Sequence, residues 1–91
     1  MNYSANNIQD KINELKDWEF KNNGLDKAFK FKNFTEAMAF LVQVAFIAEK
    51  QNHHPEIWNV YNKVTLRLTT HDEDGVTDKD FKLAAAIDVL N

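Results

Sequence analysis

A chain of 91 residues, 44% hydrophobic and 27% charged, has the make-up of one globular domain that buries about 60–65% of its unfolded surface. Its charges are mixed, net −3, with no basic stripe, which argues against direct nucleic-acid binding, and the lack of cysteine excludes disulfides and cysteine-held zinc. No apolar run approaches the ~18 residues of a membrane span, and residues 1–7 form neither a basic nor an apolar leader, so a cytoplasmic protein with no membrane contact is expected.

Ile8, Ile12 and Leu15 recur at helical spacing and predict a short amphipathic helix capped within residues 4–7, Ser4 included. Residues 17–32 read as a β-hairpin. Trp18-Glu19-Phe20-Lys21 and Ala28-Phe29-Lys30-Phe31-Lys32 alternate in polarity on either side of Asn23-Gly24, a pair that tolerates positive φ. Asn33 and Glu36 read as a capping box that opens a helix over residues 34–52. Its apolar stripe is Ala37, Phe40, Leu41, Val44, Ala45 and Ala48, widened by Phe34, Met38 and Ile47. Pro55 is expected to end this helix, leaving His54 just beyond it.

Residues 57–60 read as a short strand, 61–63 as a turn and 64–69 as a period-2 strand burying Val64, Leu66 and Leu68. A polar loop follows, turning at Asp74-Gly75. Thr77 and Asp80 then cap a last helix with Phe81, Leu83, Ala84, Ile87 and Leu90 on its apolar side. The order α-β-β-α-β-β-α predicts a single α+β domain, a two-layer sandwich with a four-stranded antiparallel sheet and helices on one face. Seven phenylalanines and two tryptophans are more than a small monomer needs, and part of that surface is expected in a subunit interface.

The chemistry concentrates in one stretch. All three histidines, His53, His54 and His71, lie there with the only proline. Imidazole, with an unperturbed pKa of ~6.5, both gives and takes protons near neutrality. Glu49 and His53 are spaced i,i+4 and are expected to pair on one helix face. Asp80, in the first turn of the last helix, is placed to orient another imidazole. The residues alone leave three readings open: a surface ion pair beside a helix stop, a metal site, and general acid–base catalysis. Adjacent histidines point apart, and no H-x-x-x-H or H-E-x-x-H pattern is present, which weakens the metal reading. Imidazoles with carboxylate partners suit proton removal coupled to leaving-group protonation, as in a dehydration.

Glu49, His53-His54-Pro55, Tyr61, Thr69-Thr70-His71 and Asp80 together resemble the signature of the pterin-4a-carbinolamine dehydratases. Trp18, the Phe29-x-Phe31-x-x-Phe34 run, Ala48-Glu49-Lys50 and Gly75-x-Thr77-x-x-Asp80-x-x-Leu83-Ala84 extend the resemblance over nearly the whole chain. It implies dehydration of 4a-hydroxytetrahydropterin to quinonoid dihydropterin and water, a step that recycles the cofactor of aromatic amino acid hydroxylases, chiefly phenylalanine hydroxylase. By motif position, His53 and His71 become the acid–base groups, and His54 completes the catalytic set by binding and orienting the pterin. Glu49 and Asp80 hold the imidazoles, while Thr69, Thr70 and Asp72 flank the substrate. No metal and no cofactor is implied, the pterin being the substrate.

The resemblance also implies a homodimer joined through sheet edges, or a homotetramer joined through helices, and a functional link to a hydroxylase. Ile57 stands where some members carry Trp, and Asn52 where others carry Asp, so no side-chain role is transferred to Asn52. Trp18 reads as core or interface, Trp58 as a packing residue on the sheet face and Tyr61 as a structural residue of the turn. The family implies a second class of function as well. Animal members act as dimerisation cofactors for a homeodomain transcription factor, and some bacterial relatives resemble assembly chaperones that have lost the signature histidines. Retention of all three histidines here favours the enzyme.

Overall fold

The computed structural model describes residues 5–90. Strands β1 (Glu19–Lys21), β2 (Gly24–Lys30), β3 (Glu56–Val60) and β4 (Lys63–Leu68) form one antiparallel sheet in the order β1-β2-β4-β3. Helices α1 (Ala5–Ile12), α2 (Phe34–Gln51) and α3 (Asp78–Asp88) complete the predicted α+β sandwich, with a single 3-10 turn, His71–Glu73, ahead of α3. Period-2 alternation decides the faces. Val64, Leu66 and Leu68 of β4 are fully buried opposite Phe29, Lys27 and Leu25 of β2, and Thr65 and Arg67 share the other face with Ala28 and Asp26. Both α2 and α3 pack on β4, the inner strand that ends at the site. Among the described residues no helix is long and apolar enough to cross a membrane. The cap expected at Ser4 lies outside the described residues.

The hairpin closes one residue earlier than its sequence suggests. Asn22 and Asn23 hold the positive φ values, 50° and 62°, while Gly24 pairs with Lys21 at the start of β2. Asparagine tolerates the left-handed region, so the two asparagines suffice for the turn. Gly24 matters for a different reason: a Cβ there would lie 2.6 Å from the guanidinium carbon of Arg67, so a larger residue would shift that side chain.

At the start of α2, Asn33 accepts from the Glu36 N–H at 2.9 Å, but Glu36 reaches past the cap to the Lys32 N–H at 3.2 Å. The buried stripe is narrower than the apolar pattern: Ala37, Phe40, Val44 and Ala48 are buried, whereas Phe34 and Ala45 are exposed. Asn52, left-handed at φ 52°, ends the helix three residues before Pro55, and the His53 N–H closes on the Ala48 carbonyl at 3.0 Å.

Trp18 is a core residue, and its indole joins a buried polar cluster at the far end of α3. The Asp88 carboxylate accepts from Trp18 Nε1 at 2.9 Å, from the Lys16 N–H at 3.0 Å and from Lys27 Nζ at 3.0 Å. Lys27 and Asp88 side chains are only 10% and 8% exposed. Replacing Asp88 by alanine therefore strands a buried ammonium and an indole N–H, and is expected to lower stability by about 3 kcal/mol. Equilibrium urea unfolding of D88A measures it; a loss below about 1 kcal/mol would show that the cluster does not anchor α3.

Candidate functional site

Three chain segments end at one cavity of about 340 Å³. The exit of α2 brings Asn52, His53 and His54; the end of β4 and the 3-10 turn bring Thr69, Thr70, His71 and Asp72; the first turn of α3 brings Lys79. All three imidazoles thus line one space, at the small end of the range for small-molecule sites.

His53 is the fixed member. Its side chain is 11% exposed, and Nε2 lies 2.5 Å from Oδ1 of Asp80, whose side chain is wholly buried. The other oxygen of Asp80 accepts from the Thr77 N–H at 2.9 Å and from the Thr70 hydroxyl at 2.8 Å. A carboxylate only accepts, so the His53 ring donates through Nε2, and Nδ1 carries its lone pair when the ring is neutral. Asp80 is also the third residue of a complete capping box with Thr77, at the positive end of α3. Capping the helix and orienting the histidine are done by one group, one oxygen for each.

His54 is held by Glu49, with Nε2 2.5 Å from Oε2 and both side chains exposed. The expected Glu49–His53 pair is therefore not formed. Helical i,i+4 geometry stops at Gln51, and the left-handed turn at Asn52 swings His53 inward to α3 and leaves His54 on the Glu49 side. His71 opens the 3-10 turn with its side chain 77% exposed, and Glu56 Oε2 lies 3.7 Å from its Nε2. The loop that presents it is closed by paired Thr70 and Gly75, with Asp74 left-handed at φ 52°.

Thr69 lines the cavity and donates its hydroxyl to the Asn23 carbonyl at 2.9 Å. Thr70 lines it too, but its hydroxyl turns inward to Asp80 and Thr77. Asp72 lines the exposed rim. Trp58 and Tyr61 stand away from the cavity, both more than half exposed, Trp58 in β3 and Tyr61 in the turn beyond it at φ 51°. Sequence reasoning missed Lys79, Glu56 and the role of Asn52. For Asn52 a signal existed, because asparagine follows glycine as the residue for a left-handed helix end. Lys79 and Glu56 acquire meaning only once β4, β3 and α3 are placed side by side.

Two substitutions separate the cap from the buried carboxylate. T77A removes a helix cap and is expected to cost about 1 kcal/mol. D80A removes three accepted hydrogen bonds at a buried site and is expected to cost about 3 kcal/mol. Urea unfolding of both variants checks the order, and equal losses would mean that Asp80 acts only as a helix cap.

Residues 1–90 match the family described as pterin 4 alpha carbinolamine dehydratase. A Sinorhizobium medicae protein is 52% identical over 83 residues, covering 89% of this chain and 79% of the relative. A Sulfolobus acidocaldarius protein is 44% identical over 90 residues, covering 99% of each. Both are named as pterin-4-alpha-carbinolamine dehydratases, provisionally. A crystal structure from Brucella melitensis, described as a transcriptional coactivator/pterin dehydratase, superposes with a TM-score of 0.94 at 35% identity, covering 99% of this chain and 98% of that one. A pterin dehydratase-like protein identified as a RuBisCO assembly factor in the alpha-carboxysome is more distant, with a TM-score of 0.66 at 25% identity over 84% and 87% of the two chains.

Proposed function

The chain belongs to the pterin-4a-carbinolamine dehydratase family, and on that premise we propose that it eliminates water from 4a-hydroxytetrahydropterin to give quinonoid dihydropterin. The observation that carries this reading is the convergence of three imidazoles on one cavity, one of them locked by a buried carboxylate. In the elimination the C4a–O bond breaks as the hydroxyl takes a proton and leaves as water. N5 gives up its proton and its electron pair closes the C4a–N5 double bond. Two proton transfers and one bond cleavage leave no net change of oxidation state, so the chemistry asks for a positioned acid and base and calls on no metal and no cofactor.

His53 and His71 supply that acid and base, and His54, held by Glu49, binds and orients the pterin. Asp80 orients His53. Thr69 and Asp72 flank the substrate, and Thr70 serves mainly by supporting Asp80. The reaction would serve an aromatic amino acid hydroxylase in the cytoplasm by returning its spent pterin to the reducible form. The fold's other use, a non-catalytic dimerisation or assembly module, draws support from the RuBisCO assembly relative. That use gives no reason for an oriented, buried histidine facing a cavity.

Self-association belongs to the same proposal. β3 is a sheet edge, and its Ile57, Trp58 and Val60 are each at least half exposed; on α2, Val42 and Phe46 are 54% and 74% exposed. An edge strand with such side chains is a template for pairing with another copy, and a homodimer or homotetramer is expected. Light scattering at micromolar concentration should give at least twice the chain mass; a stable monomer would contradict it.

Following quinonoid formation from synthetic 4a-hydroxytetrahydropterin tests the activity. The wild-type chain should accelerate the step over buffer, H53A should lower kcat by about 10²-fold, and H53A/H71A should approach the buffer rate. No acceleration by the wild type, or full activity in the double variant, would sink the reading.

A further inference from the structure

We infer that Glu56 is a positioning residue for His71 and that Arg67 holds Glu56 to that task. The inference rests on the dehydratase reading, in which His71 exchanges a proton with the pterin. His71 stands on a single 3-10 turn with its side chain 77% exposed, so packing does not set its ring as burial beside Asp80 sets that of His53. The carboxylate facing it is Glu56, the first residue of β3, with Oε2 3.7 Å from Nε2.

Glu56 is itself constrained from across the sheet. It pairs in register with Arg67 of β4, and its Oε1 lies 3.9 Å from Arg67 Nε. The rest of the guanidinium is occupied. Nη1 donates to the Lys21 carbonyl at 2.8 Å and to Asp26 at 3.1 Å, and Nη2 donates to the Asn22 carbonyl. The β1–β2 turn and β2 therefore pin Arg67, and the missing side chain of Gly24 makes room for it.

A pinned guanidinium opposite an edge-strand glutamate limits the rotamers that the glutamate samples. The two oxygens of Glu56 are divided, one toward Arg67 and one toward His71. A carboxylate beside one imidazole nitrogen selects the tautomer that donates from it and leaves the other nitrogen for the substrate. The separation of 3.7 Å is longer than a hydrogen bond but sets the carboxylate's charge directly against Nε2, where it favours the N–H form.

The test combines steady-state kinetics on 4a-hydroxytetrahydropterin with histidine ¹H–¹⁵N spectra and melting temperatures for E56A, E56D, R67A and E56A/R67A. E56A should lower kcat by about tenfold with KM nearly unchanged, the lower end of what a carboxylate partner of a functional histidine contributes. E56D should recover most of that loss. R67A should lose less than E56A, and the double variant should match E56A, because Arg67 acts through Glu56. In the spectra, wild-type His71 should show mainly the Nε2–H tautomer, and E56A should gain the Nδ1–H form.

Unchanged kcat in E56A, or a loss that E56D does not recover and that follows a fall in melting temperature, overturns the positioning role. Multiplicative losses in the double variant overturn the part assigned to Arg67. A wild-type chain without dehydratase activity would sink the reaction assignment. The spectra still decide the contact in that case, since an identical His71 tautomer in wild type and E56A overturns it.

Discussion

The wholly buried Asp80 carboxylate joins three segments that are distant in sequence: the N-terminus of α3 through Thr77, the end of β4 through Thr70 and the exit of α2 through His53. A buried charge is costly unless its lone pairs are met. Here three donors meet the two oxygens, and the positive end of a helix lies beneath them. No single segment supplies enough. Satisfying Asp80 requires all three to arrive together, so the carboxylate that is costly to bury also specifies one arrangement of the site. His53 inherits its orientation from that requirement.

The other end of α3 poses the opposite problem. Asp88 lies in its last turn, where the helix dipole disfavours an anion. Lys27, the Trp18 indole and the Lys16 N–H offset this, and they come from the first hairpin and its approach. α3 is thus tied at one end to His53 and at the other to the first hairpin, with Leu83, Ala84 and Ile87 buried between. A side chain that must hold an imidazole to within a fraction of an ångström is better carried on such a doubly anchored helix than on a loop.

Much of this was legible in the sequence because periodicity reports which face is buried. The alternation of Val64, Leu66 and Leu68, the positions of Ala37, Phe40, Val44 and Ala48 on α2 and the Thr77–Asp80 capping box lie as their spacing implies. The resemblance, not the spacing, set Thr69, Thr70 and Asp72 beside the histidines, and all six residues line one cavity. What spacing could not deliver was partnership. Whether Glu49 meets His53 or His54 turns on one residue, the left-handed Asn52, and a helix end displaced by one position exchanges the partners. Similarly, Asn22 and Asn23 form the turn expected at Asn23 and Gly24, because asparagine tolerates positive φ. The Glu56–Arg67 opposition follows from the register of the β3–β4 hairpin, which its two-residue turn at Tyr61-Asn62 sets in place of the three-residue turn expected at 61–63.

The three imidazoles differ in how firmly the fold holds them. Side-chain exposure rises from 11% at His53 to 58% at His54 and 77% at His71. Folding itself sets His53, so its orientation costs nothing further when a substrate arrives. The other two rely on exposed carboxylates, contacts worth about 0–1 kcal/mol that salt weakens and thermal motion breaks. Such contacts cannot lock a ring, but they bias it among a few orientations and let it move aside. In the proposed elimination, one group has to stay in register with the reacting bond, while the rim has to admit a flat ring and release it with a water molecule. One fixed imidazole beside two adjustable ones meets both demands, provided that the adjustable ones are biased from outside the cavity. Glu49 and Glu56 stand where that bias has to come from, each beside one of the exposed rings.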